Sequence, residues 1–440
     1  MGRDDAAGTS SDQRGAVTAP LDAASCQVMA SARLEAGVAA RSPLRVDSSL
    51  LSEVQRLGKF DTSCLNCGGC SVACELALGD VTFPRKPIRH VVLGLREAVV
   101  AGLEPWLCHD CGDCSLKCPR QADPAASMRT LRRYLTGEYD WTGLSARILR
   151  SRAWHLGSLL AVGAVVLALV VAYHLRWVGL SVPDFVATPM GIGHMFPKIL
   201  YFTWLVYALP AIVLVTHVWR MYRLTMGRTR PAPRHLLAEA RTLMVHMLTH
   251  RQLRKCPSEA RGAPVVGWWL YAGSAEAVPR RWLKHWLMAL GTVLMFVLTV
   301  AFLGRFQTDK IYPLYHPQRW LGYLATAFIL WGTTDVILRR IRRRHGTARK
   351  EGPVTLPLLL WLTAVSGIAI HVLRLLGMAL TAHYAYAAHL VILVPMVVVE
   401  VPFGEWAHMI DRPLALYFQA VRERAREEVP MEAGLAPVRA

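Results

Sequence analysis

No apolar segment opens the sequence. Residues 1–50 are polar and rich in Ala and Ser, and they carry Asp4, Asp5, Asp12 and Asp22. That excludes a secretory signal in this stretch, so the N-terminus is expected to stay in the cytoplasm. Periodicity is missing as well, and residues 1–47 read as a disordered extension. Charge is scarce: 18% of residues are charged against 53% hydrophobic, and mean hydropathy is +0.29. Such a chain is too apolar for two soluble domains and too charged at its ends for membrane throughout, which implies a split chain. A continuous basic face is also lacking. The formal charge is +19, yet Lys and Arg crowd into a few connections between apolar runs, a pattern of membrane topology that argues against nucleic-acid binding. Disulfide-like cysteine usage is absent too. Eight of the ten cysteines lie between Cys64 and Cys118 in two matched sets, with Cys26 and Cys256 left over. In a cytoplasmic domain that density signals metal ligation.

Apolar runs of the length a bilayer crossing needs, about 20 residues, begin after Trp141. Six spans are expected: 154–175, 198–219, 284–303, 319–339, 354–376 and 383–403. Arg220, Arg223, Arg228, Arg230 and Arg234 follow the second span, and Arg339, Arg340, Arg342, Arg343 and Arg344 follow the fourth, which places both connections inside. Loops 176–197, 304–318 and 377–382 are poorer in cations and should face outward, leaving both termini in the cytoplasm. The expected organisation is mainly α. An extension, 1–47, precedes a small helical ferredoxin-like domain with two 4Fe–4S clusters, 48–140. A six-helix transmembrane bundle of cytochrome b type follows, 141–412, with a cytoplasmic tail, 413–440. Within the cysteine domain, Ile88, Val91, Val92, Leu95, Ala98 and Val99 have helical spacing and present an apolar face.

Cys64, Cys67, Cys70 and Cys74 form C-x2-C-x2-C-x3-C, and Cys108, Cys111, Cys114 and Cys118 repeat it, followed by Pro119. A cubane takes three thiolates from one tight loop and a fourth from a distant segment, and in two-cluster ferredoxins the fourth cysteine of each set ligates the other cluster. The expected sets are therefore Cys64, Cys67, Cys70 with Cys118, and Cys108, Cys111, Cys114 with Cys74. Two structural zinc sites are the competing reading, but zinc ribbons use pairs of cysteines and have no use for a third and fourth in each set.

Sixteen histidines are more than any ligand set needs. His90, His109, His235, His246, His250, His316 and His345 read as surface or interfacial residues. A ring at bilayer depth is costly unless it serves a site, which singles out His155, His174, His217, His285, His371, His389 and His408. Haem b needs two imidazoles at one depth. His285 and His408, both at the inner edge, are expected to clamp one haem, while His389 and His371 share a depth near the outer edge, with Met295 a weaker candidate. His217 competes for the inner site, and for His217 and His371 helix packing is the alternative reading. His389 and His408 are 19 residues apart, about 28 Å of helix, and a straight helix would turn them about 100° from each other. Pro395 and Pro402 either bend that relation or end the helix before His408. Asp335, Arg374 and Glu400 are charges in or near the spans.

These residues resemble a known family, the C subunit of the quinone-interacting membrane-bound oxidoreductase, itself similar to heterodisulfide reductase subunits C and E fused. The front half is similar through Cys64-Leu-Asn-Cys67-Gly-Gly-Cys70, Phe83-Pro84-Arg85 and Trp106-Leu-Cys108-His-Asp-Cys111. The back half, similar also to the nitrate reductase gamma subunit, matches at Arg280 with His285, Thr363 through Gly367 to Arg374, His389-Leu390, and Pro402-Phe403 through Ala407-His408. Glu405 stands where a lysine is expected, and the segment 257–279 is an insertion. The resemblance implies a multi-pass subunit of the cytoplasmic membrane with one or two haems b. It implies that electrons pass between the quinone pool and soluble flavin and iron–sulfur subunits, with adenylylsulfate reductase as eventual partner. A heterodisulfide-reductase-like or sulfite-linked quinol complex would share nearly every residue, whereas a zinc-binding membrane scaffold or sensor belongs to a different class. No nucleophile or acid–base pair marks an independent catalytic pocket, since redox groups carry this chemistry.

Overall fold

A computed structural model of the chain describes residues 45–74, 76–77, 82–175, 199–227, 229, 231–250, 280–306, 312–313, 315–341 and 354–427. Most of the expected extension, the loop 176–197, the insertion 257–279, Cys26, Cys256 and everything after residue 427 lie outside the described residues. Helices and no strands occur among the described residues. The cysteine domain holds α1 (Leu50–Leu57), α2 (Gly69–Val72), α3 (Arg85–Val92), α4 (Arg96–Val100), α5 (Glu104–Leu107), α6 (Asp113–Leu116), α7 (Pro124–Tyr139) and α8 (Leu144–Arg150). Then come α9 (Arg152–Tyr173), α10 (Ile199–Met226), α11 (Pro233–Ala238), α12 (Ala240–Thr249), α13 (Arg280–Phe306), α14 (Pro317–Ile341), α15 (Thr355–Leu375), α16 (Ala379–Pro395) and α17 (His408–Glu427).

The spine of the cysteine domain is α7. Asp123 caps it by accepting a hydrogen bond from the Ala126 amide at 3.0 Å, with Pro124 at the first helical position, where its missing N–H costs nothing. Met128, Leu131 and Leu135 recur at three- and four-residue spacing and bury one face against Leu50 and Val54 of α1. The helical spacing read over 88–99 is split in two at Gly94, and Ile88, Val91 and Val99 enter this core while Val92 stays exposed. Arg96 bonds Asp47 at 2.6 Å, Glu53 at 2.7 Å and the Tyr134 hydroxyl at 2.6 Å, which pins α4 to both α1 and α7.

Six helices are long and apolar enough to cross a membrane: Arg152–Tyr173, Tyr201–Met226, Trp282–Phe302, Arg319–Leu338, Thr355–Leu375 and Ala379–Phe403. Much of their apolar surface faces outward; Leu160 is 73% and Ile212 64% exposed. Belts of this kind need lipid or a partner to cover them. The second span runs seven residues past its expected end at 219, because Met221 and Met226 are drawn into the core of the cysteine domain.

That core is shared. Besides α1, α3 and α7 it contains Met221 and Met226 of α10 and Ala415, Phe418 and Val421 of α17. The first residues of the expected tail are therefore a helix packed into the protein. Polar ties follow the same seam: Arg133 pairs with Glu405 at 2.7 Å, Arg220 donates to the Glu138 carbonyl at 3.0 Å, and Arg422 donates to the Thr225 carbonyl at 2.6 Å. The Arg133 pair supplies a physical reason for Glu405, because a lysine there would face an arginine.

The sixth span is not straight. Pro395 cannot donate to the helix ladder, and the next five residues, Met396–Glu400, form a π turn. The helix stops at Phe403, and a new one starts at His408. Glu400, 1% exposed, turns its carboxylate to His155 of α9. A Cβ at Gly404 would overlap that carboxylate and press on the Glu400 backbone. Gly404→Ala should cost about 1–3 kcal/mol, the usual price of overpacking, read as a lowered midpoint in thermal unfolding of the detergent-solubilised protein.

Candidate metal and cofactor sites

Both cysteine loops fold by one local rule. The middle cysteine of each set is flanked by two left-handed residues, Asn66 (φ 58°) and Gly68 (φ 85°) around Cys67, and Asp110 (φ 55°) and Gly112 (φ 84°) around Cys111. Asn, Asp and Gly are the residues that tolerate this region. Two such reversals within three residues coil the chain tightly enough to turn successive cysteines inward. An arginine steadies each loop: Arg85 donates to the Asn66 carbonyl at 3.4 Å, and Arg129 pairs with Asp110 at 2.5 Å. The third cysteine lies in the short helix that follows, Cys70 in α2 and Cys114 in α6, and the two helices pack together with Cys70 and Cys114 in one buried cluster.

The fourth cysteines cross over. Cys64, Cys67, Cys70 and Cys118 line a single cavity, together with Arg85, Ile88 and Pro119. Around the other site, burial and then the charges of Cys108 and Cys111 push the Cys74 thiol up to about 11. The Cys114 thiol is raised by burial and by Cys108, Cys111 and Cys74 in turn. Cys70 and Cys108 are also raised, in each case first by burial. Cys118 thus lies with Cys64, Cys67 and Cys70 at one cavity, and Cys74 lies within electrostatic range of Cys108, Cys111 and Cys114. The Asp110 amide also donates to Cys108 Sγ at 3.4 Å, the kind of hydrogen bond that tunes a cluster.

The 4Fe-4S dicluster domain family matches residues 62–122. Those residues form an iron–sulfur dicluster domain. It is an electron-transfer module, and it sits on a helical region suited to a membrane. Neither the curated proteins nor the solved structures compared with the chain gave a match.

A cavity of about 610 Å³ lies between α10, α13, α14, α15 and α16, and its lining includes His371, His389, His316 and Met295. Its volume falls in the range of ligand sites, roughly 300–1,000 Å³. Its walls are mostly aliphatic and aromatic, and the polar groups that line it include Arg319, Tyr323 and Arg374. His389 is oriented for ligation. Ser366 Oγ lies 2.7 Å from the Leu362 carbonyl and 2.8 Å from His389 Nδ1. With the hydroxyl hydrogen assigned to the carbonyl, Ser366 accepts from Nδ1–H and the lone pair falls on Nε2. His371 is in the same cavity with Nε2 bonded to the Tyr323 hydroxyl at 2.6 Å, so ligation through that atom requires this bond to break. The residues present fit a haem: an imidazole with a directed lone pair, apolar walls, and arginines for its carboxylates.

His285 and His408 do not line this cavity. His285 stacks edge-on against His250 at 5.2 Å between ring centroids. Burial, then the charges of Arg412 and His408, lower His250 to about 4. The expectation of surface or interfacial positions is corrected for His235 and His109, which are buried, while His316, in the cavity wall, and His250, against His285, are partly buried. The i, i+4 spacing of His246 and His250 ahead of the third span was the available signal. His217, a competitor for the inner site, is buried against Asp411 at 3.0 Å, a packing role. Glu400 and Asp335 pair with His155 and Lys284.

Cys118→Ser should alter the EPR signal of the Cys64, Cys67 and Cys70 site and leave the other intact. A change confined to the opposite signal would refute the crossing.

Proposed function

We propose that the chain is the membrane electron-transfer subunit of a quinone-linked redox complex. The cavity between the helices supports this reading most directly, because it offers His389 and His371 to a haem b inside a bundle that shares one core with a dicluster domain. The eight cysteines would hold two 4Fe–4S clusters in their crossed sets. His389 would hold the haem through Nε2, with His371 or Met295 as the opposing ligand in the same cavity, and a second haem would take His285 and His408 with His250 beside them. A haem b bound there supplies the one-electron chemistry that joins a two-electron quinol to one-electron carriers. The chain's own contribution is to fix positions and exclude water: aliphatic side chains line the cavity, and Ser366 holds the imidazole in one tautomer.

The cation-rich connections favour a dicluster domain on the cytoplasmic face of the cytoplasmic membrane, where soluble flavin and iron–sulfur subunits would reach it. By the resemblance, the eventual redox partner is adenylylsulfate reductase, and a heterodisulfide-reductase-like or sulfite-linked complex would use the same residues.

The purified protein should show reduced b-type haem bands that build on adding a reduced quinol analogue, together with the cubane EPR signals. His389→Ala should lower the haem content markedly while the iron–sulfur signals persist, and unchanged haem in that variant would remove His389 from the site. His408→Ala should remove a separate portion of the haem, measured by the pyridine haemochrome assay.

A further inference from the structure

The two cysteine loops are copies of one another. Position by position, 44 residues apart, the spacing, the left-handed turns and the short helix that carries the third cysteine coincide. Copies of one fold in one environment would be equally exposed, and these are not. Leu65, the residue after the first cysteine, is 66% exposed, whereas its counterpart His109 is 9% exposed. Cys67 is exposed and Cys111 half-buried, while Cys64 is half-buried and Cys108 is buried.

The asymmetry has a specific cause. The second loop is covered by the start of α17. Arg412 of α17 donates to His109 Nδ1 at 2.7 Å, and α5, which runs directly into Cys108, packs on α17; from α7, Arg132 adds a bond to the Cys108 carbonyl. The same stretch of α17 closes the bundle cavity, since Met409 and Ile410 are among its lining residues. Ile410 and Arg412 are about 3 Å apart along the helix axis. One short piece of α17 therefore touches the cavity on one side and the Cys108 loop on the other. Nothing equivalent covers the Cys64 loop among the described residues: Thr62, Ser63, Leu65 and Asn66 are exposed, and so are Pro119 and Arg120, next to its crossed cysteine.

We infer that the two sites stand in series in a fixed order. The site of Cys74, Cys108, Cys111 and Cys114 exchanges electrons with the helical bundle. The site of Cys64, Cys67, Cys70 and Cys118 exchanges them with soluble one-electron carriers outside the chain. This rests on the electron-transfer reading proposed above and adds to it the order and the exit. Each step moves one electron, so the site that loses it is oxidised and its neighbour reduced, and no atom changes hands. The order is the same in either direction of flow.

The test uses the full chain in detergent with its clusters assembled and reduced by dithionite. A water-soluble dysprosium chelate speeds the spin relaxation of whichever cluster lies nearer to water. Cys67→Ser and Cys111→Ser identify which EPR signal belongs to which loop. Leu65→Lys provides an identification that leaves the ligands intact, because a cation on that exposed position raises the potential of the adjacent cluster. The signal altered by Cys67→Ser, and shifted upward by Leu65→Lys, should show a several-fold larger relaxation enhancement than the signal altered by Cys111→Ser. Equal enhancement, or a larger effect on the Cys111 signal, would overturn the order. A wild-type protein with no cubane signal would instead overturn the electron-transfer reading itself.

Discussion

His217 of α10 and Asp411 of α17 meet at 3.0 Å with almost no exposure on either side. Tyr139, the last residue of α7, lies edge-on against the His217 ring at 5.5 Å, and Trp106 stacks on Tyr139 from the segment that leads into Cys108. Removing one partner of a buried hydrogen-bonded pair leaves the other unsatisfied at a cost of about 1–3 kcal/mol. The pair fixes the seam along which dicluster domain and helical bundle become a single body. The apolar side chains around it, Met221, Met226, Ala415, Phe418 and Val421, make the seam a continuous core where a hinge would otherwise fall. Electron transfer between fixed groups depends on such rigidity, because the protein's part is to hold positions.

From that constraint the rest of the architecture follows. The extension of α10 beyond the expected span, the helical character of 408–427 and the Arg133–Glu405 pair all belong to the seam. So does the unequal burial of the two cysteine loops. A duplicated motif gives two similar sites, and the surface against which one copy is pressed makes them different. Burial and hydrogen bonding are among the factors that set cluster potentials, so the covered site and the exposed one are placed to differ.

The sequence made the cysteine sites legible because their ligands are local: spacing dictates a tight loop, and Asn66, Gly68, Asp110 and Gly112 supply the backbone conformations it needs. The six long helices were legible from length and hydropathy, with ends off by a few residues wherever packing continued past the apolar run. The histidines were only partly legible. Their partners are set by three-dimensional packing between segments up to hundreds of residues apart, as with His217 and Asp411 or His155 and Glu400. Depth along a helix brought His371 and His389 to one cavity, but it gave no sign that Tyr323 or Ser366 would hold their rings. Pro395 and Pro402 left open whether the sixth helix bends or ends, and both happen, with a π turn after the first and a stop just after the second.

The central proposal is that one chain carries both iron–sulfur sites and a cavity that takes haem b. Its most direct test is the iron, acid-labile sulfide and haem content of the purified full-length protein, together with its optical spectrum. The account predicts iron and sulfide in the amounts two cubanes require and split b-type bands on reduction. Full iron and sulfide with no haem would contradict it, leaving the dicluster domain in place and the cavity to some other ligand.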